Sequence, residues 1–329
     1  MDFDFNEDQK EIKAVARELL GARSTWTRVR AAALAGEYDA ALWREIVELG
    51  WPGIAVSEQR GGQGLGIVEL AVLLEELGYA CTAVPFLSTA VVAAVLDRFG
   101  SEDQCERWLP GLLAGEVRAG LGPVGLTVDG EGASVAVTRT PSGETRLAVD
   151  LITEPLVAID PTRRFGTVGG SASDELSEGA ASLVTVAVAA ELVGVCQRAL
   201  EMTLEYVKDR KQFGVPVGSF QAVSHRCAEM LLHTESTRST AYYAAWAADA
   251  DPGRLGEAAA LAGAAAATGG REVAASAIQA HGGIGFTWEA DVHWLYKRAE
   301  VDRALLGGAG VHHAALARAA AARVTAALA

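Results

Sequence analysis

The sequence predicts a mainly α-helical fold: an N-terminal helical domain, a reduced middle β region and a C-terminal four-helix bundle. Three observations predict it. Apolar residues recur at helical spacing through roughly the first third of the chain and again from Ser182 onward. Short alternating runs bounded by turn residues are confined to residues 130–160. Half of the residues are hydrophobic, and Ala and Gly supply much of that half, which suits closely packed helices. At 329 residues the chain is long enough for two or three domains, with expected boundaries at 1–117, 118–178 and 179–329.

The elements follow in order. Phe3, Phe5, Ile12, Ala16 and Leu19 fall at helical spacing after an acidic start that suits a helix N-terminus. Residues 39–49 repeat the pattern with Leu42, Ile46 and Leu49 on one face, and Gly50-Trp51-Pro52-Gly53 stops it. Residues 58–66 form a glycine-rich loop entering the apolar helix 68–77. It lacks the Lys-Ser/Thr of a P-loop and the strand context of a dinucleotide fingerprint, so it reads as a tight connection. Val135-Ala136-Val137 and Leu147-Ala148-Val149, separated by Pro141-Ser142-Gly143-Glu144, read as a hairpin. Beyond it, Val186, Ala190, Val193, Leu200, Leu204 and Val207 form a helical stripe in which Gln197 is the one polar member. Helical patterns then cover 221–250, 257–280 and 291–306, with a last helix from about Val311; short links make these an antiparallel bundle.

Composition narrows the function. A net charge of −14 argues against a nucleic-acid partner, because phosphate backbones are bound by clustered Lys and Arg. Cys81, Cys105, Cys196 and Cys227 lie far apart without a Cys-x-x-Cys pair, so buried thiols are expected rather than a zinc site or a disulfide scaffold. The six histidines show no metal-binding spacing. No stretch reads as a membrane span, residues 258–270 being apolar but too short. Met1 is followed by Asp2, Asp4, Glu7 and Asp8, unlike a basic signal-peptide start, and a cytoplasmic protein is expected.

The candidate site centres on residues 209–221, Asp-Arg-Lys-Gln-Phe-Gly-Val-Pro-Val-Gly-Ser-Phe-Gln, between two long helical patterns. Arg210, Gln212 and Gln221 flank a turn marked by two glycines and a proline. A guanidinium binds phosphate oxygens as a fork, and a turn exposes backbone N–H groups, so the stretch suits an anion such as a pyrophosphate. A surface loop would not need Phe213 and Phe220 as well.

The same stretch, followed by His225 and Ala228-Glu229-Met230, resembles the C-terminal domain of acyl-CoA dehydrogenases. Ala277-Ile278-Gln279-Ala280-His281-Gly282-Gly283-Ile284-Gly285-Phe286-Thr287 resembles the family's other flavin-contacting segment. Phe3-x-Phe5-x-Glu7-x-Gln9, residues 43–50, the loop 61–66 and Leu73-Leu74-Glu75-Glu76-Leu77-Gly78 resemble its N-terminal domain, as do residues 100–104 and 109–116. The resemblance covers about the first 120 and last 150 residues. It implies an FAD enzyme that introduces a double bond between the α and β carbons of an acyl-CoA thioester, with electron-transfer flavoprotein as the habitual acceptor. It assigns Arg210, Gln212, Phe213, Gln221, Gln279, Gly282 and Gly283 to the adenosine and pyrophosphate end of a flavin held mainly by a neighbouring subunit.

Two departures qualify that picture. The middle region is short, and it shows neither the family's Thr-Glu-Pro-Gly-x-Gly-Ser-Asp-like loop nor its Trp-containing strand, so it should grip the isoalloxazine poorly or borrow that grip. The proton-abstracting glutamate is also missing. Leu306 before Gly307 occupies its usual position, and Val184 the position some members use instead. Asp302, four residues before Leu306, and Glu191, two turns after Val184, are the candidates for a displaced base.

The resemblance therefore implies a subunit of an α2β2 heterotetramer, of the heteromeric type found in actinobacterial steroid side-chain degradation. A homologous partner would supply the base, the substrate pocket and most of the flavin grip. Two alternatives stand beside it: a structural subunit that binds no flavin, and a self-sufficient homotetramer using Asp302 or Glu191.

Overall fold

The first helix begins where its capping chemistry permits. The Asn6 side chain accepts from the Gln9 backbone at 2.8 Å and the Gln9 side chain accepts from the Asn6 backbone at 3.0 Å, a reciprocal capping box. The computed structural model that shows this describes residues 4–140 and 142–328; Phe3 of the opening motif and Pro141 of the hairpin turn lie outside the described residues. Five more helices follow α1 (Glu7–Arg23): α2 (Trp26–Ala35), α3 (Ala40–Glu48), α4 (Ile67–Tyr79), α5 (Phe86–Phe99) and α6 (Glu102–Leu113). Asp39 caps α3 and Ser101 caps α6. The glycine-rich loop before α4 turns its N–H groups inward. Gln63, Gly64 and Leu65 donate to the carbonyls of Gly53, Val56 and Ile54 at 2.8–3.0 Å, so the loop is a tight connection with its donors already used.

Five strands form the middle region: β1 (Ala119–Pro123), β2 (Thr127–Val128), β3 (Val135–Arg139), β4 (Thr145–Leu156) and β5 (Phe165–Glu175). They close into a barrel in the order β1-β2-β5-β4-β3, sealed by a parallel β1–β3 pairing. The register Val137↔Leu147 places those two side chains in the main core, while Ala136↔Ala148 joins a separate small cluster with Val168. That split is the period-two alternation of a strand. Sequence reading located β3 and β4; the β region is wider than the hairpin at 130–160, because β1, β2 and β5 complete the barrel on either side.

The C-terminal part is built on α7 (Glu178–Asp209), α8 (Gln221–Ala250), α9 (Leu255–His281) and α10 (Val292–Leu306), with α11 (Ala309–Leu328) against α9. Between α7 and α8 a small hairpin pairs β6 (Lys211–Gln212) with β7 (Val215–Pro216). By length and composition α7 could cross a membrane, yet 72% of its apolar window is buried, and α4, α8, α9 and α10 pack around it. Two glycines allow the closest of these contacts. A Cβ at Gly194 of α7 would lie 1.8 Å from the Glu75 carbonyl of α4, and one at Gly78 of α4 would lie 2.2 Å from the Glu191 carbonyl of α7. The two backbones touch, which docks the N-terminal helices on the bundle. All four cysteines are buried and free; burial pushes Cys81 and Cys196 up to about 12.

Candidate functional site

The end of α7 and the end of α9 meet at one groove. Arg210 closes α7, its backbone N–H donating to Tyr206 at 2.9 Å, and its carbonyl accepts from Val217 at 2.8 Å across the β6–β7 hairpin. The hairpin turns through Phe213 and Gly214, both at positive φ (52° and 84°), as a two-residue turn between right-twisted strands requires. That backbone thrusts Phe213 outward, 94% exposed, edge-on to Phe220 at 6.3 Å. Opposite, α9 ends at His281, and Gly282 and Gly283 have nothing within 4 Å of where a Cβ would stand. The space between is about 670 Å³.

Arg210, Gln212, Phe213, Gln279, Gly282 and Gly283 all line this groove, so the fold brings together two motifs some seventy residues apart. Gln221 is not in its wall; it is exposed at the first position of α8, and its neighbours Ala222 and Val223 line the groove instead. Two further contributors escaped sequence reading, Arg226 from α8 and Tyr206, the latter stacked on His281 of the second motif with rings 4.5 Å apart and 20° from parallel. The His281 Nδ1–H donates to the Ala277 carbonyl at 2.7 Å and burial lowers its pKa, so the ring is neutral. No carboxylate lines the groove, and neither Arg210 nor Arg226 has a salt-bridge partner among the described residues. In a chain of charge −14, an acid-free groove with two unpaired guanidinium groups suits an anionic ligand.

Val184 of α7 and Leu306 of α10 meet at a second, much smaller cleft of about 70 Å³, walled also by Thr138, Arg139, Thr185 and Leu305. Arg139 donates to the Leu305 carbonyl at 3.0 Å, satisfying the C-terminal end of α10, and burial lowers its pKa. The cleft wall contains no carboxylate. Its volume holds a few waters, far below the roughly 300–1,000 Å³ of a small-molecule pocket.

Asp302 and Glu191, the candidates for a displaced base, lie elsewhere. Both are sealed in an ion network where the three parts of the chain join. Arg163, after β4, pairs with Glu191 and with Asp302 (3.3 Å), and Arg298 of α10 binds Asp160 at 2.7 Å, Glu191 at 3.0 Å and the Thr82 carbonyl at 3.0 Å. Burial and the nearby Glu191 hold Asp302 well above the usual carboxylate range, against the pull of Arg163 and Arg298. Burial opposes the ionisation of Asp160, but Arg298 and Arg163 outweigh it and hold Asp160 below that range. Neither Asp302 nor Glu191 lines the cleft at Val184 and Leu306. A base must come within hydrogen-bond reach of the proton it takes, and these carboxyl groups face guanidinium groups inside the protein.

Comparison with known proteins bears on this geometry. "Acyl-CoA dehydrogenase, N-terminal domain" matches residues 6–116 and "Acyl-CoA dehydrogenase, C-terminal domain" matches residues 183–321. The chain is 33% identical over 308 residues to the acyl-CoA dehydrogenase IpdE2 of Mycolicibacterium smegmatis, covering 92% of this chain and 95% of that protein. Among solved structures, the ChsE4–ChsE5 complex from Mycobacterium tuberculosis superposes with a TM-score of 0.85 at 27% identity over 98% of this chain and 99% of the matched chain. A variant of the Tcur3481–Tcur3483 steroid ACAD gives the same TM-score and identity over 97% and 99%.

Proposed function

Because the chain belongs to the acyl-CoA dehydrogenase family, we propose that it is the base-less subunit of a heteromeric acyl-CoA dehydrogenase. In this reading it holds the nucleotide end of FAD while a homologous partner supplies the glutamate and the substrate pocket. One observation carries the reading: the groove that suits an anionic nucleotide is intact, whereas the positions of the base are apolar and enclose only about 70 Å³. Family members bind FAD, and the residues here fit its nucleotide end: two guanidinium groups without acid partners and a glycine turn that lets backbone approach an oxygen.

Bound here, FAD would supply the two-electron redox chemistry. The chain's own residues do other work. Arg210 and Arg226 attract and orient the phosphates, Gln212 and Gln279 offer amides, and Gly282-Gly283 keeps the approach open. Leu306 and Val184 cannot accept a proton, so proton abstraction falls to the partner. Residues 118–178 contain no Trp, which agrees with an isoalloxazine held from the partner's side. The two similar solved structures pair two different chains, and one is a steroid ACAD; on that likeness we propose a heterotetramer acting on a bulky, steroid-derived acyl-CoA.

The test is purification of the chain alone and together with its homologous partner. Flavin absorbance in the mixture, greatly reduced by Arg210→Ala, is expected. Full flavin loading after Arg210→Ala, or acyl-CoA dehydrogenation by the isolated chain, would contradict the reading; an active mixture whose flavin is held by the partner and is unaffected by Arg210→Ala would favour a structural subunit.

A further inference from the structure

We propose that the start of α10 is a binding site for an apolar monocarboxylate, which Lys297, His293 and Trp294 hold beneath Trp288. None of these four residues lines the groove or the small cleft, so the site stands apart from the flavin reading.

Unsatisfied nitrogen marks the place. Among the described residues five buried side-chain polar atoms lack a hydrogen bond, and three of them adjoin here: both ring nitrogens of His293 and Nε1 of Trp294. The two rings lie 4.4 Å apart, with His293 9% exposed and Trp294 3%. Buried donors without acceptors are costly, and native proteins keep few of them. One turn further along α10 the Lys297 ammonium rests on the faces of Trp288 and Trp294, 4.0 and 4.8 Å from their centroids, and it has no ion-pair partner among the described residues. The helix end adds to this. Asp291 occupies the N-cap position, but its side chain makes no cap; its two oxygens accept from Arg30 at 2.7 and 2.8 Å. The start of α10 is left without a side-chain cap, and its dipole favours an anion. Glu289, next to Trp288 in sequence, forms no ion pair with Lys297, and Asp160, the acid that bears on Lys297 from the barrel side, is held by Arg298.

Donors and positive charge without an acceptor select the ligand. The imidazole and indole N–H groups and the ammonium need oxygens that only accept, which describes an ionised carboxylate with about four lone-pair sites and no proton to give. Trp288 is 68% exposed and lies edge-on to both rings, 4.8 Å from His293 and 5.7 Å from Trp294. It covers the buried nitrogens, so the carboxylate reaches them by displacing that indole, whose face then lies against the apolar body of the ligand. A bare inorganic anion would gain nothing from Trp288 or from Phe286, which is also exposed two residues earlier.

The experiment is an NMR titration of the full-length protein, its tryptophan indole groups isotope-labelled, with cyclohexanecarboxylate, and with cyclohexanol as the uncharged control. The Trp294 signal is assigned from its loss in Trp294→Phe. The carboxylate should move that signal saturably at millimolar concentration, and cyclohexanol should not. Lys297→Gln and His293→Phe, checked by circular dichroism for parental helix content, should each weaken binding by about ten- to a hundredfold, the loss of one charge-assisted contact. No saturable shift of Trp294, an equal shift with cyclohexanol, or Lys297→Gln binding as the parent does would overturn the proposal. So would a Trp294 signal that moves only when a homologous partner chain is added, because the nitrogens would then be satisfied by protein.

Discussion

Arg298 holds Asp160 at 2.7 Å in the interior of the protein, a helix of the bundle gripping the loop between β4 and β5. The same guanidinium binds Glu191 at 3.0 Å, so one side chain ties α10, α7 and the barrel together. Replacing it with Met would leave Asp160 and Glu191 buried with Arg163 as their remaining cation. Breaking a buried pair from one side costs about 3–5 kcal/mol. Urea denaturation of Arg298→Met should show a loss of that size, and a loss below about 1 kcal/mol would mean the network is not holding the parts together.

Asp302 stands in the same network, but burial and Glu191 push its carboxyl well above the usual carboxylate range, toward the neutral form, which separates it from Asp160. Asn reproduces a neutral carboxyl in shape and hydrogen-bonding capacity. Asp302→Asn should therefore change stability at neutral pH by less than about 1 kcal/mol, whereas Glu191→Gln, which removes the shared partner of two arginines, should cost about 2–4 kcal/mol. Dehydrogenase activity of the assembled enzyme should survive Asp302→Asn; its abolition in a folded variant would restore Asp302 as a candidate base.

Gly194 sits where α7 crosses α4 with no room for a methyl group, and the atom in the way is a backbone carbonyl that cannot rotate aside. Gly194→Ala should destabilise by about 2 kcal/mol or more, although Ala is the better helix former by about 1 kcal/mol. A thermal midpoint equal to or above the parent's would show that the two helices are not in such contact.

His293 is buried beside Trp288, Trp294 and Lys297, with neither ring nitrogen hydrogen-bonded among the described residues. Burial first, then Lys297 and Arg30, lower its pKa to about 4. Since this lies below the unfolded value of about 6.5, the neutral ring's contribution is complete above pH ~6.5 and is lost as the pH falls toward 4. Parent protein should lose roughly 1–2 kcal/mol more than His293→Phe over that interval, the full shift being discounted for a site near the surface. Parallel stability–pH curves for the two would contradict this.

What the sequence could reveal depended on how local the signal was. The stripe from Val186 to Val207 marked α7 because a helix buries every third or fourth residue, and all of its apolar members but Leu204 are fully buried. β5 escaped notice: Gly166, Gly169 and Gly170 within it carry no strand propensity, and it is a strand because β4 pairs along nearly its whole length. The two groove motifs were legible as motifs, but Arg226 was not, because only the packing of α8 beside the hairpin brings it there. Likewise Thr82, Asp160, Glu191 and Arg298 form a network spanning more than two hundred residues of sequence, and no periodicity announces it.

The most direct measurement of the account is the mass of the native assembly together with its flavin content. The account predicts two copies of this chain, two of a homologous base-bearing partner, and two FAD molecules per four chains, with flavin lost from the Arg210→Ala assembly. Four FAD molecules on an active homotetramer of this chain alone would contradict it.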